Sequence, residues 1–135
     1  MRYLGIDYGT KRIGTAISDK LGMIANSYQL LANDQNLIVN LAKIIESEQI
    51  EAIVLGLPKH MHNELSATSN AVLALRDELQ VFNIPIFLQD ERRSTTEAER
   101  ILISADVSRA KRKQKIDNLA ATIILQTYLD ACKKI

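Results

Sequence analysis

Three places in the sequence put carboxylates where chemistry can be done: Asp7, the pair Asp90-Glu91, and Asp117. Asp7 ends the apolar run Tyr3-Leu-Gly-Ile6, and Asp90-Glu91 end the run Pro85-Ile-Phe-Leu-Gln89. Asp117 stands in the first turn of a helix read from Ile116 to Cys132. A carboxylate at the end of a core strand is costly to desolvate unless a cation meets it. None of these acids has an obvious paired base in the sequence. Two such charges ~4–5 Å apart repel by roughly 3–4 kcal/mol at an effective dielectric of about 20. A divalent cation relieves that repulsion, and an all-oxygen donor set suits Mg²⁺ or Mn²⁺ rather than zinc. Each acid also has a purely structural reading. Asp7 can be a turn residue, Asp90 or Glu91 can open a solvated loop, and Asp117 can complement a helix dipole. Adjacent strand residues face opposite sides, so only one of Asp90 and Glu91 can share a face with a common site.

Other chemistry-bearing residues are sparser. His60 and His62 form a His-x-His pair in a polar loop, with no Cys or third His nearby to complete a metal site. The single Cys132 cannot form an internal disulfide, which points to a reducing cytoplasm. The net charge of +1 conceals an asymmetry. Five of the 17 basic residues (Arg109, Lys111, Arg112, Lys113 and Lys115) lie in one seven-residue block, leaving 12 against 16 acids elsewhere. Such a block on an acidic body suits an anionic partner, or else a solvated loop.

The elements that position these residues follow from periodicity. Residues 3–6 and 12–18 read as strands joined at Asp7-Tyr-Gly-Thr10, and Met23–Leu31 as a third strand of the same meander. Asn33 or Asp34 caps a helix whose face is Leu37, Ile38, Leu41, Ile44 and Ile45. Ala52–Gly56 is a continuous apolar run, as in a strand buried on both faces. Leu65–Phe82 reads as a helix with Val72, Leu75 and Leu79 on one side, and Pro85–Gln89 as a short strand. Ser94-Thr-Thr-Glu97 matches a capping box and starts another helix. The last helix carries Ile116, Leu119, Ala120, Ile123 and Thr127 on one stripe. The order β-β-β-α-β-α-β-α-α predicts a mixed α/β sheet, antiparallel in one part and parallel in the other, flanked by helices. Residues 1–135 read as one domain. An aromatic content of 4% with no Trp disfavours a stacking platform, and no run approaches the ~20 apolar residues of a membrane span.

Four stretches carry a resemblance: Gly5-Ile-Asp7-Tyr-Gly9-Thr-Lys11-Arg12-Ile-Gly14, Val54-Leu-Gly56-Leu-Pro58, Asp90-Glu91-Arg92-Arg93-Ser94-Thr95, and Lys115-Ile-Asp117-Asn-Leu-Ala120-Ala121 continuing to Gln126. In this order they resemble the YqgF family of RNase H-like proteins, whose names pair Holliday-junction resolution with pre-16S rRNA processing. The resemblance implies an RNase H-like mixed five-stranded sheet, with a three-strand antiparallel meander plus two parallel strands. It implies that Asp7, Glu91 and Asp117 are the catalytic, metal-holding acids of a Mg²⁺- or Mn²⁺-dependent nuclease. Lys11, Arg12, Arg92, Arg109, Lys111, Arg112, Lys113 and Lys115 would then hold a nucleic-acid backbone. The implied substrate is the 5′ end of pre-16S rRNA, with ribosome-assembly intermediates as partners, a cytoplasmic setting, and a monomer or weak dimer. Junction DNA, or binding without catalysis on the same fold, are the competing readings. The loop after Pro58 departs from the family pattern: it reads Lys59-His60-Met61-His62-Asn63-Glu64 and lacks glycine.

Overall fold

The structure is a computed structural model that describes residues 1–57, 67–90 and 109–133. The loop with His60 and His62, the Glu91–Arg92 segment and the helix expected from Ser94 lie outside the described residues. So do the side chains of Asp90, Asp117 and the basic block.

Five strands form one sheet. They are β1 (Tyr3–Tyr8), β2 (Arg12–Ser18), β3 (Ala25–Ala32), β4 (Ala52–Leu57) and β5 (Ile86–Asp90), in the order β3-β2-β1-β4-β5. The β1–β2 and β2–β3 pairs are antiparallel, and the β1–β4 and β4–β5 pairs are parallel. This is the meander plus two parallel strands that the element order predicts. β1 is therefore central, and its alternation sends Leu4 and Ile6 to one face and Tyr3, Gly5 and Asp7 to the other.

The Leu4–Ile6 face is covered by α1 (Leu37–Ser47) and α2 (Ala67–Leu79). Leu41, Val72 and Leu79 close that core with Ile13, Ile53 and Leu55. The expected faces of both helices are the buried ones. The opposite face is covered by α3 (Arg109–Lys133), whose Ala121, Ile124, Leu125 and Leu129 pack on Ala16 and Val54. β4 is buried on both faces, as a strand between two helical layers must be.

Four sequence expectations shift. The third strand begins at Ala25 rather than Met23, because Asp19 organises residues 19–24 as a turn. Its carboxylate accepts the N–H groups of Met23 (2.7 Å) and Ile24 (3.0 Å), bonds that also hold its pKa below the ordinary carboxylate value. Asn33 does not cap α1. The N-cap is Asn36, without a side-chain bond, while the Asp34 carboxylate accepts the Asn36 N–H at 2.9 Å. The basic block is not a loop but the first two turns of α3, which begins at Arg109. Finally, the buried stripe of α3 runs through Ala120, Ala121, Ile124, Leu125 and Leu129, whereas Thr127 is exposed. Residues 119–125 are apolar around most of the helix, so periodicity alone did not select the stripe. The small Ala120-Ala121 pair did, by allowing the helix to lie close to the sheet.

That close approach depends on Gly5. A Cβ there would stand 2.8 Å from Leu125 Cβ and 3.2 Å from the Ala121 carbonyl. Further along, the Tyr128 ring packs against Tyr3 (centroids 5.7 Å apart) and stacks on Phe87 (5.3 Å). Gly5→Ala is accordingly expected to destabilise the fold by about 1–3 kcal/mol, as overpacking at a rigid contact does. Urea denaturation measures this, and an unchanged midpoint would show that α3 is not seated on Gly5.

Burial and a hydrogen bond with Cys132 push the Tyr128 phenol up to about 12 from its ordinary value of 10.0. The fold therefore favours the protonated ring. Its contribution is complete below the unfolded value and is lost as pH rises toward the folded one. Tyr28, raised by its hydrogen bond to Glu48, acts in the same direction. Tyr128→Phe should thus flatten part of the stability loss on the alkaline side, read as urea midpoints across that window. A parallel decline in variant and native protein would contradict the assignment.

Candidate functional site

Asp7 occupies the carboxyl end of the central strand, half-buried, on the face that α3 covers. Its register partner across β1–β2 is Gly14. On the other side Ile6 pairs with Leu55, so the next β4 position beside Asp7 is Gly56. Both glycines are buried. The carboxylate thus stands on a stretch of sheet where its two lateral neighbours have no side chain. Such a floor leaves room for a ligand to approach the strand closely.

α3 runs opposite to β1. Tyr128 meets Tyr3, and one to two turns earlier Leu125 and Ala121 meet Gly5. Two strand residues advance ~6.6–6.8 Å and one helical turn ~5.4 Å, so the two elements stay nearly in step. Position 117 lies one turn before Ala121, toward the end of β1 that carries Asp7. On β5, Phe87 is paired with Val54 and Gln89 with Gly56, which puts both on the α3 side of the sheet. Asp90 pairs with Leu57, a position of the opposite face.

The β1–β2 turn supplies the nearest described cations. Lys11 and Arg12 are exposed. Asn33, just after β3, clamps this turn through its side-chain amide and its backbone N–H. Among the described residues no group of three or more His, Cys, Asp or Glu stands close enough to hold a metal ion. The donor set read from the sequence is nonetheless all-oxygen, and Asp7, its described member, has glycines at its two lateral positions in the sheet. These features fit a hard divalent ion.

Two features escaped the sequence reading: the glycine pair around Asp7 and the Asn33 clamp. Gly14 and Gly56 were visible as motif residues, but only the strand register makes them neighbours of Asp7. Asn33 gave a capping signal that the turn took over.

Comparison with known proteins identifies the family and the fold. The family described as "RuvX: Holliday junction resolvase" matches residues 1–131. A protein of Geobacillus sp. (strain WCH70), named "Putative pre-16S rRNA nuclease", is 43% identical over 97% of this chain and 99% of its own length. A protein of Halothermothrix orenii with the same name is 45% identical over 100% of this chain and 99% of its own. Among solved structures, T. thermophilus RuvC in complex with a Holliday junction substrate superimposes with a TM-score of 0.62, at 14% identity, over 99% of this chain and 96% of that one. The Fowlpox virus resolvase in complex with junction DNA gives 0.59 at 14% identity, over 98% and 99%. At that identity the structures establish the fold alone, the RNase H-like one expected. With a family match across nearly its whole length and relatives above two-fifths identity, the chain belongs to the RuvX family, the YqgF family of the four motifs.

Proposed function

We propose that this chain hydrolyses phosphodiester bonds in nucleic acid, and that its substrate is precursor rRNA at the 5′ end of the 16S sequence. The observation that carries the chemistry is Asp7: a half-buried carboxylate on the α3 face of the central strand, between Gly14 and Gly56. Position 117 lies one turn before the Ala121–Gly5 contact, which supports Asp117 as a second member of the site. The alternation of β5 supports Glu91 over Asp90 as the third. Phe87 and Gln89 occupy the α3 side of the sheet, whereas Asp90 pairs with Leu57, a position of the opposite face.

Asp7, Glu91 and Asp117 would hold Mg²⁺ or Mn²⁺, which when bound activates water and offsets charge on the phosphoryl oxygens. The rest of the task belongs to the chain's own cations. Lys11, Arg12, Arg92 and the block Arg109, Lys111, Arg112, Lys113 and Lys115 position the backbone through phosphate contacts. The block is poorly placed for its helix: five cations and no acid fill the first seven residues of α3, against the helix dipole. An anionic partner gives that arrangement a purpose. The names carried by the relatives support rRNA as the substrate, and action on rRNA would place the chain in the cytoplasm. On this reading residues 1–135 act as one unit, as a monomer or weak dimer, on ribosome-assembly intermediates. The family's description favours a second reading, cleavage of branched DNA, which requires two symmetric sites and therefore a dimer.

A cleavage panel decides between them: precursor rRNA, junction DNA and single strands, each with Mg²⁺ or Mn²⁺. Divalent-dependent cutting of the precursor is expected from the native chain. Asp7→Asn and Glu91→Gln should lose it by about a hundredfold or more, and Asp90→Asn should retain most of it. Full activity of purified Asp7→Asn, or an Asp90→Asn loss that exceeds the Glu91→Gln loss, would refute this assignment. Cutting of junction DNA alone by a dimer would establish the second reading.

A further inference from the structure

The β1–β2 turn is held in an unusual way. Three consecutive carbonyls, those of Gly9, Thr10 and Lys11, accept hydrogen bonds from one residue of another strand's end. The Asn33 side-chain amide donates to Gly9 O (2.8 Å) and Thr10 O (3.4 Å), and the Asn33 N–H donates to Lys11 O (3.0 Å). In a planar trans peptide the C=O of one residue and the N–H of the next point in opposite directions. With its carbonyls drawn to Asn33, the turn must aim the N–H groups of Thr10, Lys11 and Arg12 away from it. β2 lies between β3 and β1, so at Lys11 that direction is away from β3 and toward the β1 side, where Asp7 stands three residues before Thr10.

Among the described residues no acceptor receives the N–H of Thr10 or Lys11. Thr10, Lys11 and Arg12 are exposed, so the same turn adds a hydroxyl and two cations. The turn is also tight: a Cβ on Gly9 would collide with the Arg12 carbonyl. The nearest acid on the clamp side, Asp34, is engaged by the Asn36 N–H at 2.9 Å. A hairpin that needs only to close can use bonds within its own turn. Parallel amides, a hydroxyl and two cations around one turn stabilise an anion.

We infer that the β1–β2 turn is a backbone-amide site for a phosphate of the bound strand, and that Asn33 is its positioning residue. The inference rests on the nucleic-acid reading above. Asn33 touches no substrate. It acts by keeping the turn's carbonyls, which would repel a phosphate, on the side away from the strand. Lys11 and Arg12 then add charge to a site whose shape is already set.

The test uses full-length protein carrying Asp7→Asn, so that RNA is bound and not cut, with a short single-stranded RNA as probe. The ¹H–¹⁵N resonances of Thr10 and Lys11 should shift on titration. Adding Asn33→Asp, which keeps the side chain's shape but removes its donors, should abolish those shifts and weaken binding about tenfold, with a shallower salt dependence. A merely structural clamp would lower the urea midpoint and leave the salt dependence unchanged. Should Asn33→Asp fail to fold, the titration of the Asn33-containing protein decides alone. Thr10 and Lys11 amides that stay still, or an Asn33→Asp protein that binds RNA as tightly, would overturn the inference. Amide shifts in a chain that cuts nothing in the cleavage panel would keep this site and discard the nuclease reading. Cutting without such shifts would do the reverse.

Discussion

The contact of α3 with the middle of β1 is the constraint on which the rest of this molecule depends. Gly5 lets the helix backbone at Ala121 come within reach of the central strand. Once that distance is set, the helix has one stripe to bury, and Ala121, Ile124, Leu125 and Leu129 occupy it. The direction of α3 follows from the aromatic contact at its far end, where Tyr128 lies against Tyr3 and Phe87. Helix and strand then advance almost in step toward the same pole. The carboxylate at the end of β1 and the amino-terminal turns of α3 are brought to one end of the sheet by this packing.

The two poles of the sheet have different characters. At the amino end of β1, polar groups are tied to one another. Arg2 donates to Ser18 O and Glu48 O and pairs with the Glu48 carboxylate at 3.3 Å, and Tyr28 donates to the same carboxylate. Ser18 adds to this network, its hydroxyl accepting the Tyr3 N–H at 2.8 Å and donating to Asp19 O at 2.9 Å. Bonds of this kind stabilise because they satisfy polar groups that the fold takes partly out of water. The carboxyl end differs. There Asp7 is flanked by glycines, and a turn with its carbonyls held back offers cations and amides outward. In the proposed chemistry a substrate meets the amides and cations of this turn, whereas the groups at the other pole meet one another.

Much of this was legible in advance, for reasons that particular elements make plain. Leu37, Leu41 and Ile44 repeat at helical spacing, and Ala52–Leu55 is apolar at every position, so α1 and β4 could be read directly. Asp7, Glu91 and Asp117 stood out because carboxylates are costly beside apolar runs and because four motifs resembled a known family. The stripe of α3 was harder. Ile116, Ile123 and Thr127 made as good a helical line as the one that is buried, since residues 119–125 are apolar on most sides. Asn33 was harder still: its side chain suits a helix cap, and nothing local shows that three carbonyls of a distant turn will claim it instead.

The sequence by itself determined the types of the described elements and singled out the acids as candidates, because hydrophobic periodicity and the cost of a buried charge act over a few residues. Tertiary structure decided which residues are neighbours across those elements. Strand register set Gly14 and Gly56 beside Asp7, and it paired Asp90 with Leu57 rather than with Gly56. The depth of helix packing chose the buried stripe of α3, and a long-range hydrogen bond turned Asn33 from a cap into a clamp. Such choices depend on distances between segments far apart in the chain. No local pattern encodes them, and only the closing of the sheet and the seating of α3 on it select among the alternatives.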